Sequence, residues 1–298
     1  MGYKIFSESL GDHEFSISLK KYPNNEIFSD FCLIDDVNLY KNSFGKTLIV
    51  GGTEGYLGAI LISGIAALRS GSRYIEIFST QKHSSLISFN QPEFITSYDF
   101  ETLKDKLRNY KNLLLGPGIS YDDWSKRTFS YFTEFFTNNK LDKNMVIDAG
   151  YLNLLSGQKL RNDSWILTPH VGEAANLLGL SKEDIQKNRV GSAKKLQKIY
   201  GGIIVLKGHD TIIQTVENTY VCTHGNSSMG TAGMGDCLAG IILSLISLVN
   251  VKDYNNAILY AVAIHSLAAD NIFKKKGGIG LLASDVIIEV NNLLNQKQ

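Results

Sequence analysis

A glycine-rich segment at residues 230–236 (GTAGMGD) leads directly into a strongly apolar stretch of the chain. Glycine lets the backbone adopt positive φ angles and come close to a ligand, and the amide groups at the start of a helix favour an anion. A carboxylate beside a bound phosphate can accept the proton of a hydroxyl that attacks phosphorus. We therefore predict that Gly233, Met234 and Gly235 form an anion hole and that Asp236 is the catalytic base. At this point a plain helix cap is the alternative role for Asp236.

Three further clusters combine polar residues with turns. The first is the turn Lys207-Gly208-His209-Asp210-Thr211, whose amides and side chains could hold phosphates or a ribose, although it is not a Walker A loop. The second, residues 51–59, is a strand-to-helix turn without the spacing of a dinucleotide fingerprint. A simple β-turn and a close-packed helix start stay open for these two. The third, residues 168–173, follows a strand, and we interpret its His170 as a substrate contact.

Two other residues carry groups capable of chemistry. Asp148 follows an apolar run, where it could face a metal or a substrate, or could cap a helix. His265 lies in an apolar helix. We interpret it as a buried core histidine or as one that supports a functional side chain.

The elements that must position these clusters alternate regularly. Short apolar runs that each end in a polar or glycine turn occur at residues 47–50, 74–78, 113–115, 145–147, 165–167 and 203–206. Strands that are apolar on both faces and alternate with helices predict an α/β fold, with a mainly parallel sheet covered by helices on both faces. Ligands bind at the carboxyl ends of such strands, where all four clusters lie.

The ends of the chain are patterned differently. Residues 1–45 are a weakly patterned entry segment in which we expect a strand or two. After Lys207, residues 211–214 and 219–222 are predicted to pair as an antiparallel edge, and helices are predicted at 234–249, 254–273 and 284–295. The sequence has neither a linker nor repeats, so we expect a single domain over residues 1–298.

Composition excludes several classes of protein. The 298 residues include 30 basic and 29 acidic side chains, so clustered positive charge for nucleic-acid binding is absent. Three cysteines without a CxxC motif argue against a disulfide framework or a zinc site. The start of the chain does not resemble a secretory signal, and no apolar run is long enough to span a membrane. We expect a cytoplasmic protein.

The segments from about Phe44 to about Leu294 together resemble the ADP/ATP-dependent NAD(P)H-hydrate dehydratase family of carbohydrate-kinase-like repair enzymes. The resemblance depends on the following motifs, in this order: FGKTLIVGG, GYLGA, LLLGPG, IDAGYLNLL, ILTPHVGEAANLLG, LKGHDT, GNSSMGTAGMGDCLAGII and AIHSLAAD. It implies a ribokinase-like three-layer sandwich. It also implies dehydration of the S form of NADH hydrate or NADPH hydrate, coupled to cleavage of ADP or ATP, with Mg²⁺ offsetting the phosphate charge.

Site residues follow from the same motif match. It places Ala59, Gly118, His170 and Asp236 against the hydrated dinucleotide. It places the adenine nucleotide against Lys207, Gly208, His209, Asp210, Thr211 and Gly235. The family also implies a tetramer, and a separate epimerase, because this chain lacks the residues of the epimerase domain that is often fused to it.

The chain departs from the family pattern at several positions. His209-Asp210 stands where the family commonly has a small residue and glycine, Met234 replaces the threonine of GGTGD, and Gly150 replaces the second aspartate of DAD. Two other functions use similar residues: a small-molecule kinase of the hydroxymethylpyrimidine or hydroxyethylthiazole type, and a nucleotide-binding regulatory protein without catalysis. The sequence does not choose between ADP and ATP, or between NADH hydrate and NADPH hydrate.

Overall fold

An eleven-stranded sheet forms the middle of the molecule in the computed structural model, which describes residues 3–21, 40–138, 143–249 and 254–296. The strands are β1 (Tyr3–Gly11), β2 (Glu14–Lys21), β3 (Lys46–Val50), β4 (Ile75–Phe78), β5 (Ile95–Ser97), β6 (Tyr110–Leu115), β7 (Asn144–Ile147), β8 (Trp165–Leu167), β9 (Ile203–Leu206), β10 (Ile212–Gln214) and β11 (Thr219–Cys222). Their order in space is β1-β2-β11-β10-β9-β8-β7-β6-β3-β4-β5. The seven strands from β9 to β5 in this order are parallel, which confirms the predicted parallel α/β sheet.

Two layers of helices cover the sheet. Residues of α1 (Leu57–Arg69), α2 (Gln81–Asn90), α9 (Met234–Ser247), α10 (Tyr254–Lys276) and α11 (Ala283–Leu294) contribute to one apolar core. Residues of α3 (Phe100–Lys106), α4 (Asp123–Asn138), α5 (Ala149–Leu155), α6 (Val171–Leu178), α7 (Lys182–Lys187) and α8 (Arg189–Tyr200) contribute to the other. Alternate residues of the central strands face opposite cores: Ile49 belongs to the first, and Leu48 and Val50 belong to the second. This division explains why the central strands carry apolar residues on both faces.

The antiparallel strands do not form an edge of the sheet, so that prediction is wrong. β10 pairs antiparallel with β9 and β11 as expected, but β11 continues into a parallel pairing with β2. β1 and β2 form a hairpin within the weakly patterned entry segment. Ile17 and Leu19 of this hairpin are buried against the first core, and the Leu19 backbone N–H donates to Nε2 of His224 at 2.8 Å.

Several predictions end at the limits of the described residues. Residues 22–39 of the entry segment, including Cys32, lie outside them. Cys222 and Cys237 are buried and free. None of the described helices is both long enough and apolar enough to cross a bilayer.

Candidate active site at the carboxyl edge of the sheet

The turns that follow β3, β6 and β7 are packed backbone against backbone. Gly52 N–H donates to the Pro117 carbonyl at 2.9 Å, and Thr53 N–H donates to the Gly118 carbonyl at 2.8 Å. A Cβ atom added at Gly116 would lie 1.7 Å from the backbone oxygen of Asp148, so only glycine fits there. The turns after these three neighbouring strands are thereby held together.

Asp236 lies in the first turn of α9, within electrostatic range of Asp148 in the turn after β7. The N-terminal cap of α9 is Gly233, whose φ of 88° is left-handed, so the helix-cap alternative for Asp236 does not apply. Side chains of Ile62 and Ala283 lie 2.6 and 3.3 Å from the place where a Cβ of Gly233 would be, which makes glycine necessary. The backbone at the start of α9, from which the Asp236 carboxylate projects, is therefore constrained by the side chains packed against Gly233.

Burial raises the pKa of Asp236 to about 7. The Asp148 carboxylate adds to this rise, the Lys207 ammonium opposes it, and Glu173 raises the pKa further. None of the described residues donates a hydrogen bond to the Asp236 carboxylate in the structure. A carboxyl group that titrates near neutral pH and has no fixed donor is suited to accept a proton.

Lys207 is the cation at the centre of this group of carboxylates. Its Nζ lies 2.7 Å from Oδ1 of Asp148 and 3.9 Å from Oε2 of Glu173, and the three side chains are 16%, 1% and 7% exposed. Burial alone lowers the pKa of Lys207, but the Asp148 and Glu173 carboxylates more than offset this, so the pKa is raised and the ammonium stays charged. A Cβ added at Gly235 would lie 3.0 Å from the same Nζ.

Asp148 occupies the cap position of α5, but its side chain does not cap that helix. Instead, Oδ1 accepts hydrogen bonds from Lys207 Nζ and from the Thr168 hydroxyl, both at 2.7 Å. Of the roles left open for Asp148, which were to face a metal, to face a substrate or to cap a helix, the structure does not support the helix cap. Asp148 is the fixed partner of Lys207.

His170 caps α6 in a reciprocal arrangement with Glu173. Nδ1 of His170 accepts a hydrogen bond from the Glu173 backbone N–H at 3.1 Å, and the Glu173 carboxylate accepts one from the His170 backbone N–H at 2.8 Å. A neutral ring that accepts through Nδ1 carries its proton on Nε2. The His170 side chain is 60% exposed, and its Nε2 lies 3.6 Å from Oε1 of Glu173.

The turn after β9 is held by Arg189, the first residue of α8. Its guanidinium donates to the carbonyls of Leu206 (3.2 Å), Asp210 (3.1 Å) and His209. Asp210 has a φ of 55°, a left-handed conformation that aspartate tolerates better than most residues. Asp210 can therefore replace the glycine that the family commonly has here without a change of backbone conformation.

The structure brings some of the predicted site residues together and leaves others apart. Asp236, Gly235 and Lys207 are in direct contact or electrostatic range, and His170 joins them through Glu173. Gly118 has a φ of 65° and packs against the turn that precedes α1, where Ala59 lies in the first turn. His209, Asp210 and Thr211 lie at the outer end of their turn, with His209 86% exposed.

Sequence reasoning left the role of Asp148 open and did not select Arg189. The pairing of Asp148 with Lys207 depends on the order of strands, because β8 lies between β7 and β9. The signal was present, since Asp148 and Lys207 each follow directly after a buried strand. Arg189 had no such signal, because it reaches the turn from a helix about twenty residues earlier.

Gly150, the position where the family has aspartate, is expected not to tolerate that residue. A Cβ at position 150 would lie 2.0 Å from the backbone oxygen of Ile119. Gly150→Asp should therefore lower the free energy of unfolding by about 1–3 kcal/mol, as overpacking does. Urea denaturation of the variant measures this. Gly58→Ala is the control, because an added Cβ there meets nothing within 4 Å, and a midpoint for Gly150→Asp equal to that of Gly58→Ala would contradict the close packing.

Comparison with known proteins gives a consistent result. The model of the NAD(P)H-hydrate dehydratase family matches residues 47–292. The chain is 36% identical to a bifunctional NAD(P)H-hydrate repair enzyme of Coxiella burnetii, with 86% of this chain and 51% of that protein covered. For the Escherichia coli enzyme of the same description the identity is 32%, and the coverage is 86% and 48%. The chain thus spans about half the length of these relatives.

A solved structure agrees over nearly the whole fold. The ADP/ATP-dependent NAD(P)H-hydrate dehydratase from Bacillus subtilis, co-crystallised with ATP and Mg²⁺, has a TM-score of 0.76 and 25% identity, and covers 88% of this chain and 93% of its own.

Proposed function

Because the chain belongs to the NAD(P)H-hydrate dehydratase family, we propose that it dehydrates the S form of NADH hydrate or NADPH hydrate and couples this to cleavage of ADP or ATP. The observation that carries the proposal is the position of Asp236. It lies in the first turn of a helix behind a glycine-rich loop, near Lys207, with a pKa of about 7.

A hydroxyl group is a poor leaving group, and phosphorylation turns it into a good one. Asp236 accepts the proton of the hydrate's hydroxyl as its oxygen attacks the terminal phosphorus of the nucleotide. Transfer of the terminal phosphoryl group converts ADP to AMP, or ATP to ADP. Loss of phosphate, together with a proton from the adjacent carbon, restores the double bond of the dihydropyridine.

The other residues divide between two ligands in this proposal. The turn at residues 207–211 and Gly235 hold the adenine nucleotide, and the backbone at residues 233–235 receives the transferred phosphoryl group. Ala59, Gly118 and His170 contact the hydrated dinucleotide. More than half of the His170 side chain is exposed, so its ring can contact that ligand.

In this proposal an Mg²⁺ ion arrives with the phosphates of the nucleotide. Within the described ranges, no three His, Cys, Asp or Glu side chains are close enough to hold a metal ion, and Asp148 is already bound by Lys207 and Thr168. Mg²⁺ is usually bound by substrate phosphates and water with one or two carboxylates, so a protein cage is not needed. When bound, the ion neutralises part of the phosphate charge.

Purified protein mixed with NADH hydrate and ADP tests the proposal. We expect the near-ultraviolet absorbance of NADH to return, with one phosphate released per molecule restored. Parallel assays with ATP and with NADPH hydrate give the preferred pair. Phosphorylation of a simple alcohol without hydrate turnover would favour the kinase alternative, and nucleotide binding without either reaction would favour the regulatory one.

Arg189→Met should weaken nucleotide binding without slowing the chemical step. The variant loses the donors that hold the carbonyls of the 207–211 turn, and we expect the KM for ADP to rise about tenfold, or about 1.4 kcal/mol. Steady-state kinetics with varied ADP measure the change. Arg161→Met is the matched control, because Arg161 also donates to a carbonyl, that of Lys198, at an exposed site. An equal KM in the two variants would argue against a role for Arg189.

The partner activity and the assembly belong to the proposal as well. An epimerase outside this chain would supply the S form from its epimer. The tetramer, which the family resemblance implies, and the cytoplasmic location, which the composition favours, stay predictions.

A further inference from the structure

Helix α10 touches both ends of the loop that carries the predicted anion hole. The loop leaves β11 after Cys222 and enters α9 at Met234. Near its beginning, the Gly225 backbone N–H donates to Oδ2 of Asp270 at 3.0 Å, and the Asn226 side-chain amide donates to Oδ1 at 2.8 Å. Both oxygens of one α10 carboxylate are thereby used to hold the loop.

Hydrogen bonds within the loop extend this restraint from Asn226 to Thr231. Oδ1 of Asn226 accepts a hydrogen bond from the Ser228 backbone N–H at 3.1 Å. The hydroxyl of Thr231 donates to the Ser228 carbonyl, also at 3.1 Å. His224 lies on the other side of Asp270, with Nδ1 3.6 Å from its carboxylate. Burial raises the pKa of Asp270, but the bonds from His224, Gly225 and Asn226 outweigh it, so the pKa is lowered and the group is ionised.

His265 lies on the same helix, five residues before Asp270, and faces the other end of the loop. Its side chain is buried, and it interacts with the Met234 backbone, where α9 begins. Burial lowers the pKa of His265 to about 4, nearby Lys207 lowers it too, and the Met234 contact raises it. Of the two ring nitrogens only Nε2 is buried without a hydrogen-bond partner in the described part of the chain, so Nδ1 is the nitrogen that meets the Met234 backbone.

The other ring nitrogen of His265, Nε2, lies in an environment that is unusual for a buried polar atom. Among the described residues, Nε2 of His265 has no hydrogen-bond partner although it is buried. A core position that only needed to be filled would be better occupied by an apolar side chain of similar size. A histidine at this point is consistent with a requirement for its other nitrogen, the one that meets Met234.

We propose that His265 and Asp270 are positioning residues, which hold the two ends of the loop so that the Asp236 carboxylate and the anion-hole backbone keep a fixed place. Glycines at 225, 230 and 233 give this loop unusual conformational freedom. Stabilisation of a transferring phosphoryl group depends on dipoles that are already oriented before the reaction. The kinetic part of this inference rests on the proposed function, whereas the structural part does not.

Hydrogen–deuterium exchange of the loop amides, together with steady-state kinetics, tests the inference. In His265→Leu and Asp270→Asn we expect faster exchange across residues 225–236. We expect kcat to fall about 10–100-fold, less than for loss of a direct donor, while the KM for ADP changes little. His265→Asn should restore most of both properties, because its side-chain N–H can replace that of Nδ1. His265→Gln should not, because its amide lies nearer the place of Nε2.

The matched control is Asn271→Ala. It removes a hydrogen bond from α10 to Glu289 in α11 and, within the described ranges, none to the loop, so it should leave exchange and kcat at wild-type values. Unchanged loop exchange in His265→Leu and Asp270→Asn would overturn the inference, as would equal effects in Asn271→Ala. If His265→Leu does not fold, the difference between the Asn and Gln variants decides. If the wild type turns over no hydrate, the proposed function fails, while the exchange result still decides the positioning role.

Discussion

Asp236→Asn is expected to lose dehydration of the hydrate almost completely and to keep nucleotide binding. Asparagine has nearly the same shape but cannot accept the proton of the attacking hydroxyl. General-base catalysis contributes about 10²–10⁴-fold, so kcat/KM should fall by that factor. Binding of ADP, measured by calorimetry, should be unchanged or tighter, because a negative charge beside the phosphates is removed.

The pH profile gives an independent sign of the same role. The pKa of Asp236 is raised to about 7, and a base must be deprotonated to act. Wild-type kcat/KM should therefore fall as the pH is lowered through about 7, and the residual activity of Asp236→Asn should lack this limb. Asp123→Asn is the control, since the Asp123 side chain is fully exposed and lies 3.6 Å from Lys126. A variant at position 236 that keeps more than a small fraction of activity would exclude the proposed base.

Lys207→Met is expected to have the second largest effect. Methionine retains the length of the side chain and removes its charge, which leaves Asp148, Glu173 and Asp236 without their shared cation. Removal of one member of a buried ion pair typically costs about 3–5 kcal/mol of unfolding free energy. Activity should also collapse, because Lys207 is part of the proposed nucleotide site.

The direction of the pH shift separates electrostatics from simple loss of binding. Lys207 lowers the pKa of Asp236, so without it that pKa rises and the acid limb of any remaining activity moves to higher pH. Part of the lost activity should return between pH 7 and 9. Lys194→Met is the control: its ion pair with Glu14 is half exposed, and such pairs contribute about 0–1 kcal/mol. A Lys207 variant as stable as this control would show that the four charges are not coupled.

The central fold was predictable because each of its strands is apolar on both faces. The runs at 113–115 and 145–147 lie within β6 and β7, and both are completely covered by helices. The hairpin was not predictable to the same extent. The pairing of β2 with β11 joins residues about two hundred positions apart, and nothing in the local pattern of either strand encodes its partner.

The site was predictable as separate clusters and not as an assembly. Asp236 and Lys207 were selected because each stands at the end of a strand or the start of a helix. Their electrostatic link through Asp148 required knowledge of which strands are neighbours. His170 illustrates a different limit, since its ring caps a helix through Nδ1 while more than half of the side chain stays exposed, and residue type alone cannot separate these two roles.

Two of the departures from the family pattern have physical explanations in the structure. Asp210 adopts a left-handed conformation that glycine favours and aspartate tolerates, so this turn accepts the side chain. At Gly150 the opposite holds, because the neighbouring carbonyl of Ile119 leaves no room for a side chain.

The pairing of the amino-terminal hairpin with β11, the strand that precedes the loop of the predicted anion hole, also affects the order of folding on the ribosome. Leu19 bonds to His224, which follows it by 205 residues. At roughly 5–20 residues per second, the partner emerges about 10–40 s after the hairpin has been made. The hairpin must wait through that interval with an unpaired strand and its buried side chains Ile17 and Leu19 uncovered. We therefore expect β2 to stay without its partner β11 until residues 219–222 have been made, and the bond from Leu19 to His224, beside the loop of the predicted anion hole, to form only then.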